Sequence, residues 1–429
     1  MPGLKDRPLP VTGAGVRSLR DLVAGLPRTF WFLWVGLLVN RMGGFVFPFL
    51  MLYLTAGRGL PVSQAGRIVA LYGAGSFAAA MVGGRLADLI GRRRTMLFAL
   101  FGGGTAMLAL GLSQRPAAIA FWTFMVSLIS DQYRPAVNAT VADLVPPADR
   151  PRAFNLYYWA VNLGFSIASV LAGVMADVSY FWLFAGDAAT TFACGLLMWR
   201  KVPETQPHRA SGSGERAPPA QPGDLLAPFR DGVYAAFVLT SFVTYLLFFQ
   251  SNLGMPVDMQ AHGLSAKTFG AVIAVNGVMI VLLQPFASRI TGGRPRSLVM
   301  AVAAVLIGAG FGVFGVLHSL WGYVAGVVIF TVGEILQAGL AHTIVSDLAP
   351  ARLRGTYQGV FHMAWGLASL VGPGGAGQIL DAWGANTLWA LCFLVGLCSA
   401  GGHLLIAGSR RRRLVELRAA ALPVSALED

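Results

Sequence analysis

Charged side chains are scarce in this chain: only 12% of its 429 residues are Asp, Glu, Lys or Arg, against about 25% in a soluble domain. That shortage excludes a water-soluble globular protein, because there is too little charged surface to cover one. Acids are the rarer sign, 19 against 32 basic residues. The three cysteines, Cys194, Cys392 and Cys398, all fall inside apolar stretches and read as small core residues. Cys392 and Cys398 share one predicted helix, where their separation rises about 9 Å, too far for a disulfide. No Cys/His ligand spacing, no Ser/His/Asp set and no phosphate-cradling glycine loop is present. The residues therefore point to no metal, no cofactor and no enzymatic chemistry.

In place of charge the chain carries apolar length. Hydrophobic residues make up 55% of it, and the mean hydropathy is +0.64. A run of about 20 apolar residues rising 1.5 Å each crosses the hydrocarbon core. About twelve such runs are predicted, near 29–55, 62–83, 95–113, 117–145, 153–177, 181–200, 231–253, 266–288, 298–317, 320–347, 356–380 and 386–407. The first is too long for a signal peptide and lacks a small-residue cleavage site. The expected fold is an all-α membrane protein of 12 transmembrane helices in two six-helix halves. It divides into an N-terminal segment (1–28), a first half (29–200), a linker (201–230), a second half (231–407) and a tail (408–429). The linker is rich in Pro, Ser, Gly and charge, the composition of a flexible connector.

A net charge of +13 raises the question of nucleic acid, and the placement of the charges answers it. With the N-terminus inside, Lys5 to Arg28, Arg85, Arg92 to Arg94, Arg150, Arg152, the linker cations, Arg294, Arg296 and Arg410 to Arg413 all fall on the cytoplasmic side. Only Arg58, Arg67, Arg115 and Lys267 fall outside. This is the positive-inside asymmetry, with both termini cytoplasmic in the cell (inner) membrane. The basic excess serves topology and the lipid bilayer, and no nucleic acid is needed.

The chain also repeats itself at an offset of 204. Val141-Ala142-Asp143-Leu144-Val145-Pro146 matches Val345-Ser346-Asp347-Leu348-Ala349-Pro350, and Gly173 and Asp177 match Gly377 and Asp381. Between the second and third runs lies a short polar turn, Gly84-Arg85-Leu86-Ala87-Asp88-Leu89-Ile90-Gly91-Arg92-Arg93-Arg94. It resembles the corresponding loop of the major facilitator superfamily, Gly-x-Leu-Ala-Asp-(Arg/Lys)-x-Gly-(Arg/Lys)-(Arg/Lys), with Leu89 in place of the usual cation. The resemblance covers the whole chain for fold and implies parallel repeats around a midplane substrate site. Within the superfamily the chain is most similar to the 12-helix drug–proton antiporter branch, in which an acid follows glycine in helix ten, as Glu334 follows Gly333. Two antiporter features are missing. Helix five has Gly164, Ala168, Ala172 and Gly173 without the proline of the branch, and Thr123 and Phe124 stand where helix four usually carries an arginine.

A charge at the bilayer centre costs at least about 3 kcal/mol, which makes each one a functional candidate. Glu334 has no partner three or four residues away on its own helix, so burial would favour its neutral acid, as a proton carrier requires. Asp131 and Arg134 lie three apart on helix four, either as a second proton site with its charge partner or as an ion pair that lets the helix insert. His342 shares the Glu334 face, either as a charge partner in the cavity or as a neutral core histidine. Arg41, beside Asn40 in helix one, either attracts an anion or neutralises Asp131 or Glu334. Asp187, Asp143 and Asp347 read as helix-end residues. In Phe154-Asn155-Leu156-Tyr157-Tyr158-Trp159-Ala160-Val161-Asn162, Asn155, Tyr157, Tyr158 and Asn162 form either an aromatic wall for flat lipophilic ligands or an interfacial belt. The resemblance implies that Gly84, Asp88, Gly91, Arg92 and Arg93 form a conformational gate. The expected function is proton-coupled export of small amphipathic molecules by a monomer. An uptake carrier for a metabolite or organic anion centred on Arg41 is the alternative.

Overall fold

The structure is a computed structural model, and it describes residues 25–146, 149–205, 226–350 and 353–420. The side chains at 83–85, 88, 151, 288, 289, 354, 355 and 418–420 lie outside the described set, and with them those of Gly84 and Asp88. Every regular element among the described residues is helical, because hydrocarbon offers no partner to an unpaired backbone group.

The first half contains α1 (Arg28–Met42), α2 (Val46–Leu52), α3 (Val62–Ile90), α4 (Arg92–Leu112), α5 (Pro116–Ser130), α6 (Tyr133–Leu144), α7 (Arg150–Val178) and α8 (Phe181–Lys201). The second contains α9 (Ala227–Arg230), α10 (Gly232–Phe248), α11 (Gly254–Ala261), α12 (Ala266–Thr291), α13 (Arg296–Phe314), α14 (Leu320–Leu348), α15 (Arg354–Leu405) and α16 (Ala407–Ala420). The offset of 204 seen in a few residues extends to the architecture. Helices begin at 28, 62, 92, 116 and 150 in one half and at 232, 266, 296, 320 and 354 in the other.

Ten helices among the described residues are long and apolar enough to cross a membrane. The predicted runs 356–380 and 386–407 share one of them, α15, which turns at Gly384 with φ 81°, a conformation that glycine alone adopts freely. The predicted run 117–145 is carried by α5 and α6 together, interrupted at Asp131 and Gln132. That interruption departs from the single helix expected; the first run is interrupted too, at Gly43–Phe45, and the seventh ends at a break, Asn252–Leu253, beyond which α11 continues. Each break has the same cause. Pro48, Pro135 and Pro256 stand four residues after Gly44, Asp131 and Asn252, and a proline ring clashes with the carbonyl four residues back while offering it no N–H.

Two extensive cross-half helix pairs join the molecule, α3 with α15 and α7 with α12, with a smaller contact of α2 on α11. At the face away from the linker the backbones nearly touch. A Cβ on Gly377 would lie 2.9 Å from the Val62 carbonyl oxygen and 3.3 Å from Gly66 Cα. On the opposite seam a Cβ on Gly270 would lie 3.2 Å from Gly173 Cα, and one on Gly173 would lie 2.9 Å from Lys267 Cα. Gly66 and Gly270, like Gly173 and Gly377, are repeat mates at the same offset. Phe49 and Phe269 meet edge to face across this end, 5.1 Å between centroids, and Ser63 N donates to Asp381 Oδ2 at 2.8 Å. Toward the linker face, His342, His362 and the Arg134 side chain remain exposed. Among the described residues the halves therefore meet at the far face and leave these side chains accessible toward the linker face.

The seal yields a direct prediction. Gly173→Ala and Gly377→Ala place a methyl group against backbone that cannot rotate away, so each is expected to part the halves at the far face. Cysteine at Ser265 should then react with an impermeant thiol reagent at least severalfold faster than in the parent background. Equal rates would show that the glycines do not set the seal.

Candidate functional site

The polar side chains at mid-depth fall into two groups, one per half. In the first half, Tyr72 of α3 lies within electrostatic reach of Asp131, Arg134, Asp187 and Arg41. Asp131 Oδ1 and Arg134 Nε are 3.8 Å apart, the acid side chain 15% exposed and the guanidinium 57%. Because the helix breaks at Asp131, both sit at a helix junction, and the exposed arginine lies in the opening toward the linker face.

Arg41 reaches Asp187 rather than Glu334, and its Nε is buried without a hydrogen-bond partner. Asp187, read from sequence as a helix-end residue, has a more specific place. Its Oδ2 accepts from Val46 N at 3.4 Å, capping α2 where the first helix restarts. Thr191 Oγ1 donates to its Oδ1 at 3.4 Å, and Asn40 Nδ2 donates to Thr191 Oγ1 at 3.0 Å. The carboxylate thus supplies backbone satisfaction at the break that Pro48 creates, as an N-cap does. Gly164 of α7 lies against this point, where a Cβ would be 3.0 Å from the Arg41 carbonyl carbon.

In the second half, Glu334 is half-buried on α14. It has a partner that its own helix does not provide: Asn276 Nδ2 of α12 donates to Glu334 Oε2 at 2.8 Å and to Thr331 Oγ1 at 3.0 Å. Gly333 beside it has the Ala303 carbonyl oxygen 2.6 Å from where a Cβ would stand, so the close packing of α14 on α13 turns the acid toward α12. Gln337, one turn on, has both side-chain polar atoms buried without partners. Sequence reasoning missed Asn276. Its signal was the repeat, because 276 is the mate of Tyr72 at offset 204.

The aromatic stretch of α7 divides. Tyr158 packs against Ile280, Ala287 and Ile335 of the second half and lies within electrostatic reach of Glu334. Tyr157 packs into the first half, within reach of Arg134. Asn162 is buried and donates to the Tyr158 carbonyl at 2.9 Å, whereas Asn155 is exposed. His342 is exposed and bonds Gln358 Oε1 through Nδ1 at 3.0 Å. It belongs to the linker-side opening, with His362 at a ring distance of 5.3 Å.

At the linker face the motif turn is held from its own half. Arg92 N and Arg93 N donate to the Glu204 carboxylate at 2.8 and 3.2 Å, and Arg92 Nε meets Asp143 Oδ2 at 3.4 Å. The mates Arg296 and Asp347 pair in the second half. Asp143 and Asp347, read as helix-end residues, are therefore the acid members of two equivalent staples.

Two pseudo-symmetric helical halves, meeting at one face and polar at mid-depth, define a multi-pass membrane transporter. Residues 33–373 match the Major Facilitator Superfamily, and the chain belongs to it. It is 26% identical over 365 residues to the "Na(+), Li(+), K(+)/H(+) antiporter" of Planococcus maritimus, covering 78% of this chain and 85% of that protein. It is 23% identical over 331 residues to the "Multidrug resistance protein MdtH" of Salmonella paratyphi B, covering 73% and 78%. In fold it is similar to a POT family transporter crystallised with 5-aminolevulinic acid, with a TM-score of 0.75, 16% identity and coverage of 90% and 98%. These proteins move small molecules across membranes and are not enzymes.

The Asn276–Glu334 contact can be tested by a double-mutant cycle. Asn276→Ala leaves two acceptors without their donor, a loss of about 1–3 kcal/mol. It should lower the thermal midpoint of the detergent-solubilised chain. In the Asn276→Ala/Glu334→Gln double variant the fall should be smaller than the sum of the single falls. Strict additivity would mean the two side chains do not interact.

Proposed function

We propose that this transporter is a proton-coupled exporter of small amphipathic molecules, and that Glu334 carries the proton. The observation that supports it best is the Glu334–Asn276 pair: one neutral amide donor, no cation, and a position beside the linker-side opening. An acid so placed can be neutralised by one proton without leaving an orphaned countercharge. Asp131, tied to Arg134, is the second site of the cycle, and Arg41 sets its field through Tyr72 and Asp187.

In this cycle Glu334 loads a proton while the far face is open. Loss of the charge lowers the cost of closing the far face over it, and the halves rock to the linker-open state seen here. Substrate entering between Tyr158 and the opposite half then favours release of the proton. Asn40, Asn155, Tyr157 and Asn162 shape the cavity walls, with Asn40 and Asn162 already committed to Thr191 and the Tyr158 carbonyl. Gly91, Arg92 and Arg93, with Gly84 and Asp88, form the gate that closes the linker face in the opposite state. The chain works as a monomer in the cell membrane, with termini and linker in the cytoplasm, as its one-sided basic charge requires. The relatives named for antiport and for multidrug resistance agree with this reading.

One observation favours a second reading. The buried, unpartnered Arg41 Nε suits an anionic substrate, and the chain would then be an uptake carrier for a metabolite or organic anion.

Glu334→Gln decides between them in proteoliposomes with an imposed pH gradient. The amide keeps the shape of the neutral acid but cannot release a proton. Uphill transport should fall to background while downhill exchange persists. If Glu334→Gln and Asp131→Asn both still concentrate substrate, proton coupling through these acids is wrong and the Arg41-centred carrier takes its place. For orientation, a cysteine at Ser213 should react with impermeant reagent only from the cytoplasmic side. Labelling from outside intact cells would reverse the assignment.

A further inference from the structure

The second half gathers three metal-type donors at the far face, and neither the transport cycle nor helix packing calls for them. Asp258 of α11 is 1% exposed. Its Oδ2 accepts from Tyr323 Oη and from Trp389 Nε1, each at 2.9 Å. Its Oδ1 is equally buried and has no hydrogen-bond partner. One helical turn on, His262 Nδ1 stands 3.3 Å from that Oδ1 and 2.9 Å from the Asp258 carbonyl oxygen. His318, from the turn between α13 and α14, lies over the His262 ring at 4.1 Å with only 4° between planes. Its Nδ1 is also buried without a partner. One ligand atom from each of the three residues lies within 4.8 Å of the other two.

A purely structural cluster leaves this arrangement unexplained. Tyr323 and Trp389 already tie α11 to its neighbours through one carboxylate oxygen, and a buried carboxylate costs several kcal/mol unless the rest of its charge is met. Two imidazoles stacked beside it repel each other when both are protonated. When both are neutral, they leave Oδ1 and the His318 nitrogen unmatched, and with His262 alone protonated against Oδ1 the buried His318 nitrogen still has no partner. A single cation resolves both deficits.

We propose that Asp258, His262 and His318 bind a divalent transition-metal ion of the Zn2+ type. Two imidazoles and one carboxylate are a borderline donor set, suited to Zn2+ at about 2.0–2.2 Å per ligand and unlike the all-oxygen shells of Ca2+ and Mg2+. Neighbouring ligands in a tetrahedral shell stand about 3.4 Å apart, close to the existing Asp258–His262 separation. His318 completes the shell by tilting its ring out of the stack, and its place in a turn leaves it free to do so. Tyr323 and Trp389 hold the carboxylate as outer partners hold metal ligands elsewhere. Three protein ligands leave one position open to water. Because α11 also packs on α2 of the first half, the bound ion ties to its own half a segment that must part from α2 when the far face opens.

The test is metal titration of the full chain, purified in detergent with any polyhistidine tag removed and stripped by a chelator. The parent should bind one Zn2+ per chain by calorimetry and give a tetrahedral Co2+ absorption spectrum. His262→Gln and His318→Gln should each weaken Zn2+ at least tenfold and abolish the Co2+ bands, with thermal midpoints in chelator within a few degrees of the parent. If one of them fails to fold, the other and His318→Asn carry the same comparison. His342→Gln, in the separate pair of rings on α14 and α15, should keep the parent affinity. The proposal is overturned by a parent that binds no Zn2+ at micromolar concentration, by unchanged affinity in both ligand variants, or by loss in His342→Gln instead. None of these readouts depends on proton coupling at Glu334.

Discussion

The two halves meet where glycine backbone lies on glycine backbone, and the rest of the molecule depends on that contact. Between helices in lipid there is little hydrophobic drive, so association rests on close van der Waals approach through small residues. Gly66 against Gly377 and Gly270 against Gly173 provide that approach on two symmetric seams. Among the described residues no ion pair crosses the seams, and one hydrogen bond, Ser63 to Asp381, does. A joint of this kind is tight when closed and costs few polar interactions to open. That combination lets one chain alternate between two packings.

Within each half the charges are arranged differently from what burial alone favours. Asp187 spends its carboxylate on the α2 break that Pro48 makes, and Asp131 sits at the break that Pro135 makes. Proline thus creates unsatisfied backbone at membrane depth, and acids lie at or beside two of the resulting gaps. In the second half the break before Pro256 has no acid beside it, and Asp258, five residues past the break, is held by the Tyr323 and Trp389 side chains instead. Glu334, the mid-depth acid on α14, is different, being held by an amide rather than by backbone.

Much of the fold was legible because apolar length and the offset of 204 are properties of the chain itself. The breaks at Gly43–Phe45 and Asp131–Gln132 were equally readable from Pro48 and Pro135, but run length conceals them. The site was less legible, for a physical reason. Glu334 stands out because its own helix offers no partner, yet Asn276 reaches it from another helix, and no spacing rule connects positions on different helices. The repeat does connect them, since Tyr72 and Asn276 occupy equivalent places and each faces the acid of its half. Tyr157 and Tyr158 were read together, but as neighbours on a helix they project about 100° apart and so reach different halves. Glu204 escaped notice because it lies beyond its helix, in polar chain that carries no periodic signal.

The staples at the linker face carry a consequence for how the protein is made. Arg92 pairs with Asp143 and Arg296 with Asp347, and every ion pair among the described residues closes within one half. The described ion pairs of the first half therefore need nothing from the second, and the first half can form them before the second has been synthesised. Among the described residues, severing the connector would part no ion pair. Reunion of the two halves would need only shape, supplied by the glycine seams.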